Sequence, residues 1–333
     1  MSRTLPDRRL CVAPMMERTD RHFRYFMRLL APHVWLYTEM VPVGAVLRGD
    51  AHRHLQFDRA EHPVALQLGG SEPDELARVA SIGATRGYDE INLNVGCPSE
   101  RVQQACWGAA LMLEPARVAD CVAAMRAAVA VEVTVKTRLG VDDHDDYDFL
   151  CTFIDHVVKA GCRTLILHAR KAWLSGLSPK QNRDVPPLDY ARVARVKRDF
   201  PELEVIVNGG IVTESGALEQ LEHVDGVMIG RAAWRQPMMM ASLNSHCFHS
   251  PPASRLSALE AYLPYMEREL AAGQSLRLLT RHLFGLFSGE RNGRLWRVRL
   301  AQLDNSAQGL AALQRFVLRA RAEGVVEPGT LAA

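Results

Sequence analysis

The chain alternates between short apolar runs and longer stretches in which apolar residues recur three and four apart. The runs are LCVAPMM (10–16), VWLYTEMV (34–41), PVALQLGG (63–70), EINLNVGCP (90–98), VEVTVKTRLG (131–140), TLILHAR (164–170), EVIVNGG (204–210) and GVMIGRA (226–232). Near-continuous Val, Ile and Leu predict strands buried on both faces. The stretches between them predict helices. SEPDELARVASIGATRG, for example, opens on Ser71 as an N-cap, places Pro73 and two acids in its first turn and stops at Gly87. Eight strand–helix units in series predict an α/β fold, a (β/α)8 TIM barrel. An open doubly wound sheet is the alternative, and the count of eight favours the barrel.

The pattern changes near Pro251. SPPAS (250–254) reads as a linker, and from Ser254 to Glu323 the periodicity is helical throughout. The expected organisation is a catalytic barrel over 1–247 and a C-terminal all-helical domain over 254–325.

Composition adds bounds. At 333 residues and 48% hydrophobic the chain is ordinary globular material. Seven cysteines without a CxxC pair argue against a disulfide framework or zinc ribbon and for a reducing, cytoplasmic setting. No apolar run is long enough for a bilayer, and no metal is expected. The net charge of +2 demands no polyanionic partner, but it is uneven: six arginines face one acid, Glu290, between Arg277 and Arg299.

Barrel chemistry sits at the C-terminal ends of the strands. Those ends carry Pro14-Met15-Met16, Glu39, Gln67, Asn94, Lys136 with Arg138, His168 with Arg170, Asn208-Gly209-Gly210 and Gly230-Arg231. The last two strands each place small residues just before a helix, where backbone N–H groups can receive a phosphate and Arg231 can add a bidentate contact. Two tight turns would explain the same glycines, but their succession at the seventh and eighth strands favours phosphate. Lys136 fits a barrel-core ion pair or a cation beside an anionic cofactor ring. A histidine at a strand mouth, His168, leans towards function.

These stretches carry a resemblance. VAPMMERTDRHFRY, YTEM, ALQLGGSEP, INLNVGCPS, VTVKTRLGVDD, LHARKAWLSGLSPKQNRDVPPLDY, VNGGI and DGVMIGRAAWRQP occur in order over nearly the whole chain. Together they resemble the tRNA-dihydrouridine synthases, in particular the bacterial A-type subfamily. The resemblance implies an FMN-containing barrel that reduces the C5=C6 bond of a D-loop uridine in tRNA, at position 20/20a, with NADPH as reductant. It implies flavin contacts for Pro14, Met15, Met16, Gln67, Lys136 and His168, and a phosphate site of Asn208, Gly209, Gly210, Gly230 and Arg231. Asn94 would touch the target uracil, and Lys180, Arg183, Arg294 and Arg297 would contact RNA. The protein is expected as a monomer with tRNA as its partner and no membrane.

The chain departs from this family at one position. The family's proton-donating cysteine stands in a GAC-L context after the fourth strand, and here the stretch reads Gly108-Ala109-Ala110-Leu111. Alanine donates no proton. Three readings stay open: an FMN- and tRNA-binding protein with impaired catalysis, a substitute thiol at Cys106, or another acid or water. Cys97, in the GCP at the strand end, reads as a packed residue.

The segment 277–300 interleaves arginines with Phe284, Phe287 and Trp296, and Arg294 and Arg297 share a helix face. A solvated basic helix with a buried aromatic face is the plain alternative. An FMN barrel acting on a small free pyrimidine is the competing enzyme reading, and the basic helical segment argues against it.

Overall fold

A computed structural model describes residues 7–291 and 293–323. By packing, the described chain forms two compact units.

The first unit is the barrel. Its strands are β1 (Leu10–Val12), β2 (Leu36–Tyr37), β3 (Val41–Pro42), β4 (Val64–Gly69), β5 (Glu90–Val95), β6 (Glu132–Arg138), β7 (Thr164–His168), β8 (Glu204–Asn208) and β9 (Gly226–Ile229). They run parallel in the order β1-β9-β8-β7-β6-β5-β4-β2, with β3 extending the pairing on β4. The sheet returns on itself: Trp35 N donates to Leu10 O at 2.9 Å, and Val12 N donates to Trp35 O at 2.8 Å. Eight staves therefore make a barrel, as the apolar runs predict, and the open-sheet alternative is set aside.

Register decides which residues face inward. Gln67 pairs with Asn92, Asn94 with Lys136, Arg138 with His168 and His168 with Asn208. One part of the interior is apolar, built from Cys11, Ala13, Trp35, Tyr37, Ala65, Ile166, Ile206 and Met228. Another part is polar, along β4, β5 and β6. The alternate residues of β5 face outward: Ile91 lies so close to the helix Pro73–Arg86 that a Cβ on Gly83 would stand 3.1 Å from its Cδ1.

Carboxylates gather at the N-terminal ends of the strands. Arg8 donates Nε to Glu90 (2.8 Å), Nη2 to Glu132 (2.6 Å) and Nη1 to Glu204 (2.9 Å). Thr164 donates its hydroxyl towards Glu132 and Glu204 at 2.5 and 2.7 Å. Burial raises the Glu90 pKa, and Arg8 opposes that rise. Partnering of this kind is what makes a buried carboxylate tolerable.

The second unit is helical. It comprises Arg18–His33 and the chain from Arg231 onward. The sequence pattern sets the boundary between 247 and 254, whereas packing divides the chain elsewhere. The helix Arg21–Leu30 puts Phe26 and Leu30, and the helix Pro237–Phe248 puts Ala241, into one apolar core with Tyr262, Leu279, Trp296 and Phe316. Asp20 caps Arg21–Leu30 by accepting from Phe23 N at 2.8 Å, and it pairs with Arg281 and His282. Residues 324 and 325 of the expected helical segment lie outside the described residues. No described helix is long and apolar enough to cross a membrane.

Candidate active site

Cations collect at the C-terminal ends of the strands, opposite the carboxylates. Lys136 has no ion-pair partner among the described residues, and its electrostatic neighbours are Arg138 and Cys97. Burial, aided by Arg138, lowers its pKa to about 7. His168 is 9% exposed, and burial together with Arg138, Lys136, Arg170 and Arg183 pushes its pKa well below the usual value. The imidazole is therefore neutral at physiological pH. Its Nδ1 is buried without a hydrogen-bond partner in the structure.

Arg138 holds loops. Its Nε donates to Gly96 O at 3.0 Å, and its Nη1 donates to Lys171 O and Asn182 O at 3.1 and 2.9 Å. One side chain thus ties the segment after β5 to the segment after β7. Asn182, fully buried, completes that tie: its Oδ1 accepts from Trp173 N, and its Nδ2 donates to Trp173 O and Leu177 O. Lys180 and Arg183, on either side of it, are exposed. Sequence reading missed Asn182, because nothing in KQNR separates a buried asparagine from a solvated one.

The glycines divide by what surrounds them. Gly209 and Gly210 have φ of 106° and 71°. A Cβ on Gly209 would stand 3.0 Å from His168 Cε1, and one on Gly210 would stand 2.3 Å from Leu188 Cδ1. Both are therefore required by the turn. The turn does not lead straight into a helix, as the sequence suggests. The helix Glu214–Leu221 begins later, with Thr213 as its own N-cap. Gly230 differs: a Cβ there would meet only Ala13 Cβ, at 3.9 Å. Arg231 opens the five-residue helix Arg231–Arg235 and belongs to the helical unit.

The loop after β5 contains a short helix, Glu100–Gln104, and a 3-10 turn, Gly108–Leu113. Ala109 N donates to Cys97 O at 2.9 Å, and Trp107 lies across Gly69, where a Cβ would come within 2.1 Å of its ring. Cys106 takes a left-handed backbone (φ 57°) just past the short helix, and its side chain is exposed. Ala110 is half-buried. Cys97 is half-buried and lies within electrostatic reach of Lys136 and Arg138.

Asn94 is 9% exposed and Gln67 1%. Asn208 donates Nδ2 to Met228 O at 2.7 Å, across the β8–β9 pair. Pro14 and Met15 are half-buried after β1, and Met16 is 58% exposed. In the helical unit Arg294 and Arg297 are exposed on the helix Gly293–Gln302. The aromatic residues beside them turn inward. Trp296 is fully buried, donates Nε1 to Leu283 O at 2.7 Å and packs against Phe287 and Phe316.

Comparison with known proteins meets this geometry. The family described as Dihydrouridine synthase (Dus) matches residues 11–321. The chain belongs to the dihydrouridine synthase family. Its similar relatives include the tRNA-dihydrouridine(20/20a) synthases of Xanthomonas campestris (54% identity, 88% of both chains), Shewanella oneidensis (53%, 89% of both) and Salmonella typhimurium (51%, 96% of both). The barrel fold is also that of an old yellow enzyme homologue from Zymomonas mobilis. That protein is 12% identical, with a TM-score of 0.51 over 74% of this chain and 90% of that one.

A flavin fits what this family member offers. Among the described residues the buried His168 Nδ1 lacks a partner, Lys136 lacks a counter-anion, and the space beside Gly230 is left unfilled. Among the described residues no cluster of His, Cys, Asp and Glu suits a metal ion.

Proposed function

We propose that this chain reduces the C5=C6 bond of a uridine in the D-loop of tRNA, at position 20/20a, to give 5,6-dihydrouridine. Family membership and relatives that carry that activity in their names support the reaction class. The observation that carries the site is the uncompensated Lys136 beside a neutral, buried His168 at the C-terminal ends of the strands. Bound there, FMN supplies the hydride for the pyrimidine ring, and NADPH restores it.

The chain's own residues do the rest. Lys136 answers negative charge on the cofactor ring, and an anion nearby restores its proton. His168, being neutral, offers one ring N–H as a donor and one nitrogen as an acceptor. Gly230 leaves room for the phosphate, the Gly209-Gly210 turn shapes the backbone beside it, and Asn208 serves as a polar partner. Pro14, Met15 and Met16 lie against the ring system. Lys180, Arg183, Arg294 and Arg297 meet the RNA backbone, and the target base leaves its stack to reach the barrel.

A second reading has a specific residue behind it. Ala110 stands where the family keeps its acid, so FMN and tRNA binding persist while protonation of C5 is slow. Cys106 is the thiol nearest to that turn in the sequence, and Cys97 is tied to it by the bond from Ala109 N to Cys97 O. Dihydrouridine formed in an unmodified tRNA transcript with NADPH separates the readings. Turnover by the chain as it stands supports a complete enzyme. Turnover only after Ala110→Cys supports the impaired one.

A further inference from the structure

A single file of hydrogen bonds runs through the polar part of the barrel interior. At its lower end Glu90, fully buried, accepts from Arg8 Nε at 2.8 Å and from Thr134 Oγ1 at 2.5 Å. Asn92 Nδ2 donates to Thr134 Oγ1 at 2.7 Å. Gln67 Nε2 donates to Asn92 Oδ1 at 2.8 Å, and Asn94 Nδ2 donates to Gln67 Oε1 at 2.9 Å. At the upper end Asn94 Oδ1 accepts from Gly96 N and Cys97 N at 3.1 and 3.0 Å.

From the Gly96 and Cys97 amides down to Glu90, every bond in this file points the same way. A carboxamide has nearly the same shape when turned over, so shape alone does not choose the direction. The two ends choose it. A carboxylate held by Arg8 has only acceptors to offer, so the single hydroxyl proton of Thr134 goes to Glu90. The Thr134 oxygen must then accept, which turns the Asn92 amide nitrogen towards it. Asn92 oxygen faces Gln67 nitrogen, and Gln67 oxygen faces Asn94 nitrogen. Asn94 oxygen is left for the two backbone N–H groups, which can only donate. One reversed amide would set donor against donor at a buried site, at a cost comparable to leaving a buried polar group unpaired.

We propose that Glu90 and Thr134 are positioning residues. Although remote from the C-terminal ends of the strands, they fix the polarity of the Gln67 and Asn94 carboxamides. The second amide N–H of each is thereby kept for the carbonyl edge of a pyrimidine-dione ring. Flavin and uracil share that edge. The inference rests on the flavin and uridine reading for its ligand, and on the hydrogen bonds alone for the relay itself.

Three substitutions test it on the full chain. Thr134→Val removes the hydroxyl at nearly constant volume and cuts the file. Glu90→Gln reverses it: Arg8 requires an oxygen, so the new amide nitrogen faces Thr134, whose proton then turns to Asn92. Thr134→Ser keeps the hydroxyl and serves as the rescue. In the ligand-free protein, amide hydrogen exchange at Gly96 and Cys97 should accelerate in Thr134→Val and Glu90→Gln and stay near the parent rate in Thr134→Ser. FMN titration should show a Kd raised about tenfold in the first two, the size expected for one displaced hydrogen bond. The absorption band of bound flavin should shift in the same two variants and return with serine.

Parent-like exchange in both Thr134→Val and Glu90→Gln overturns the relay. So does an equal loss in Thr134→Ser, because packing alone then explains the effect. Altered exchange with unchanged FMN affinity and spectrum, but weaker binding of a tRNA transcript, keeps the relay and assigns its polarity to the uracil. If the parent chain binds no FMN, the flavin reading fails while the exchange result still judges the relay.

Discussion

Tyr190 donates its hydroxyl to the carbonyl oxygen of Gly209 at 2.6 Å. That bond pins the glycine turn after β8 from outside, while His168 stands on its inner side. Gly210→Ala should therefore cost stability on the order of 1–3 kcal/mol, because it forces alanine into a left-handed backbone and against Leu188. Gly230→Ala should leave the melting temperature unchanged and weaken FMN binding, since its Cβ enters space that the protein leaves open. Thermal melts and flavin titrations on both variants check this. A Gly230→Ala protein with parent affinity would remove Gly230 from the phosphate site.

Lys136 should govern a pH dependence. Its ordinary pKa is 10.5, and in the fold it is lowered to about 7. Between those values the unfolded chain holds a proton that the folded one releases, so stability of the ligand-free protein should rise with pH across that window. Lys136→Met should flatten the slope. Binding of an anionic group reverses the preference, so FMN binding above pH 7 should take up a proton, visible in calorimetry as a dependence on buffer ionisation enthalpy. The same substitution should weaken FMN binding on the order of 10–100-fold, the range for a charge-assisted contact.

The thiols can be ranked by replacement. Ala110→Cys should raise uridine reduction by about 10²–10⁴-fold, the usual contribution of a positioned acid. If the chain already turns over, Cys106→Ser and Cys97→Ser show which thiol supports it. Cys97 has Lys136 and Arg138 as electrostatic neighbours, whereas Cys106 is exposed. Equal activity in the chain and its Ala110→Cys variant would set the impaired-enzyme reading aside.

The arginine pair of the helical unit gives a separable result. Replacing Arg294 and Arg297 by alanine should raise the Kd for tRNA and lower the slope of log K against log salt by about one for each phosphate left without its arginine. FMN content should not change, because both side chains are exposed. Loss of flavin would mean that the pair supports the fold.

The eight staves are legible in the sequence because each is apolar and ends in a glycine, proline or polar residue. The polar file inside the barrel is not. In EINLN both sets of alternate residues are buried, one against helices and one around the axis, and alternation cannot say which is which. Arg138 reads as a strand-end cation, yet its guanidinium is committed to three carbonyls, and no sequence pattern encodes such partners. The aromatics of the basic segment follow the plain alternative: Trp296 and Phe287 belong to the core, while Arg294 and Arg297 are exposed.

The helix Arg21–Leu30 has a consequence for synthesis. It leaves the ribosome early, but Ala241, Tyr262 and Trp296, with which its Phe26 and Leu30 share a core, come far later. At about 5–20 residues per second, the stretch from Leu30 to Ala241 takes roughly 10–40 s to make. Through that interval two of its apolar side chains lack their permanent neighbours. A nascent chain stalled before Pro237 should therefore keep this helix open to a holding chaperone, and a fragment that starts at Arg231 should lack the means to complete its own core.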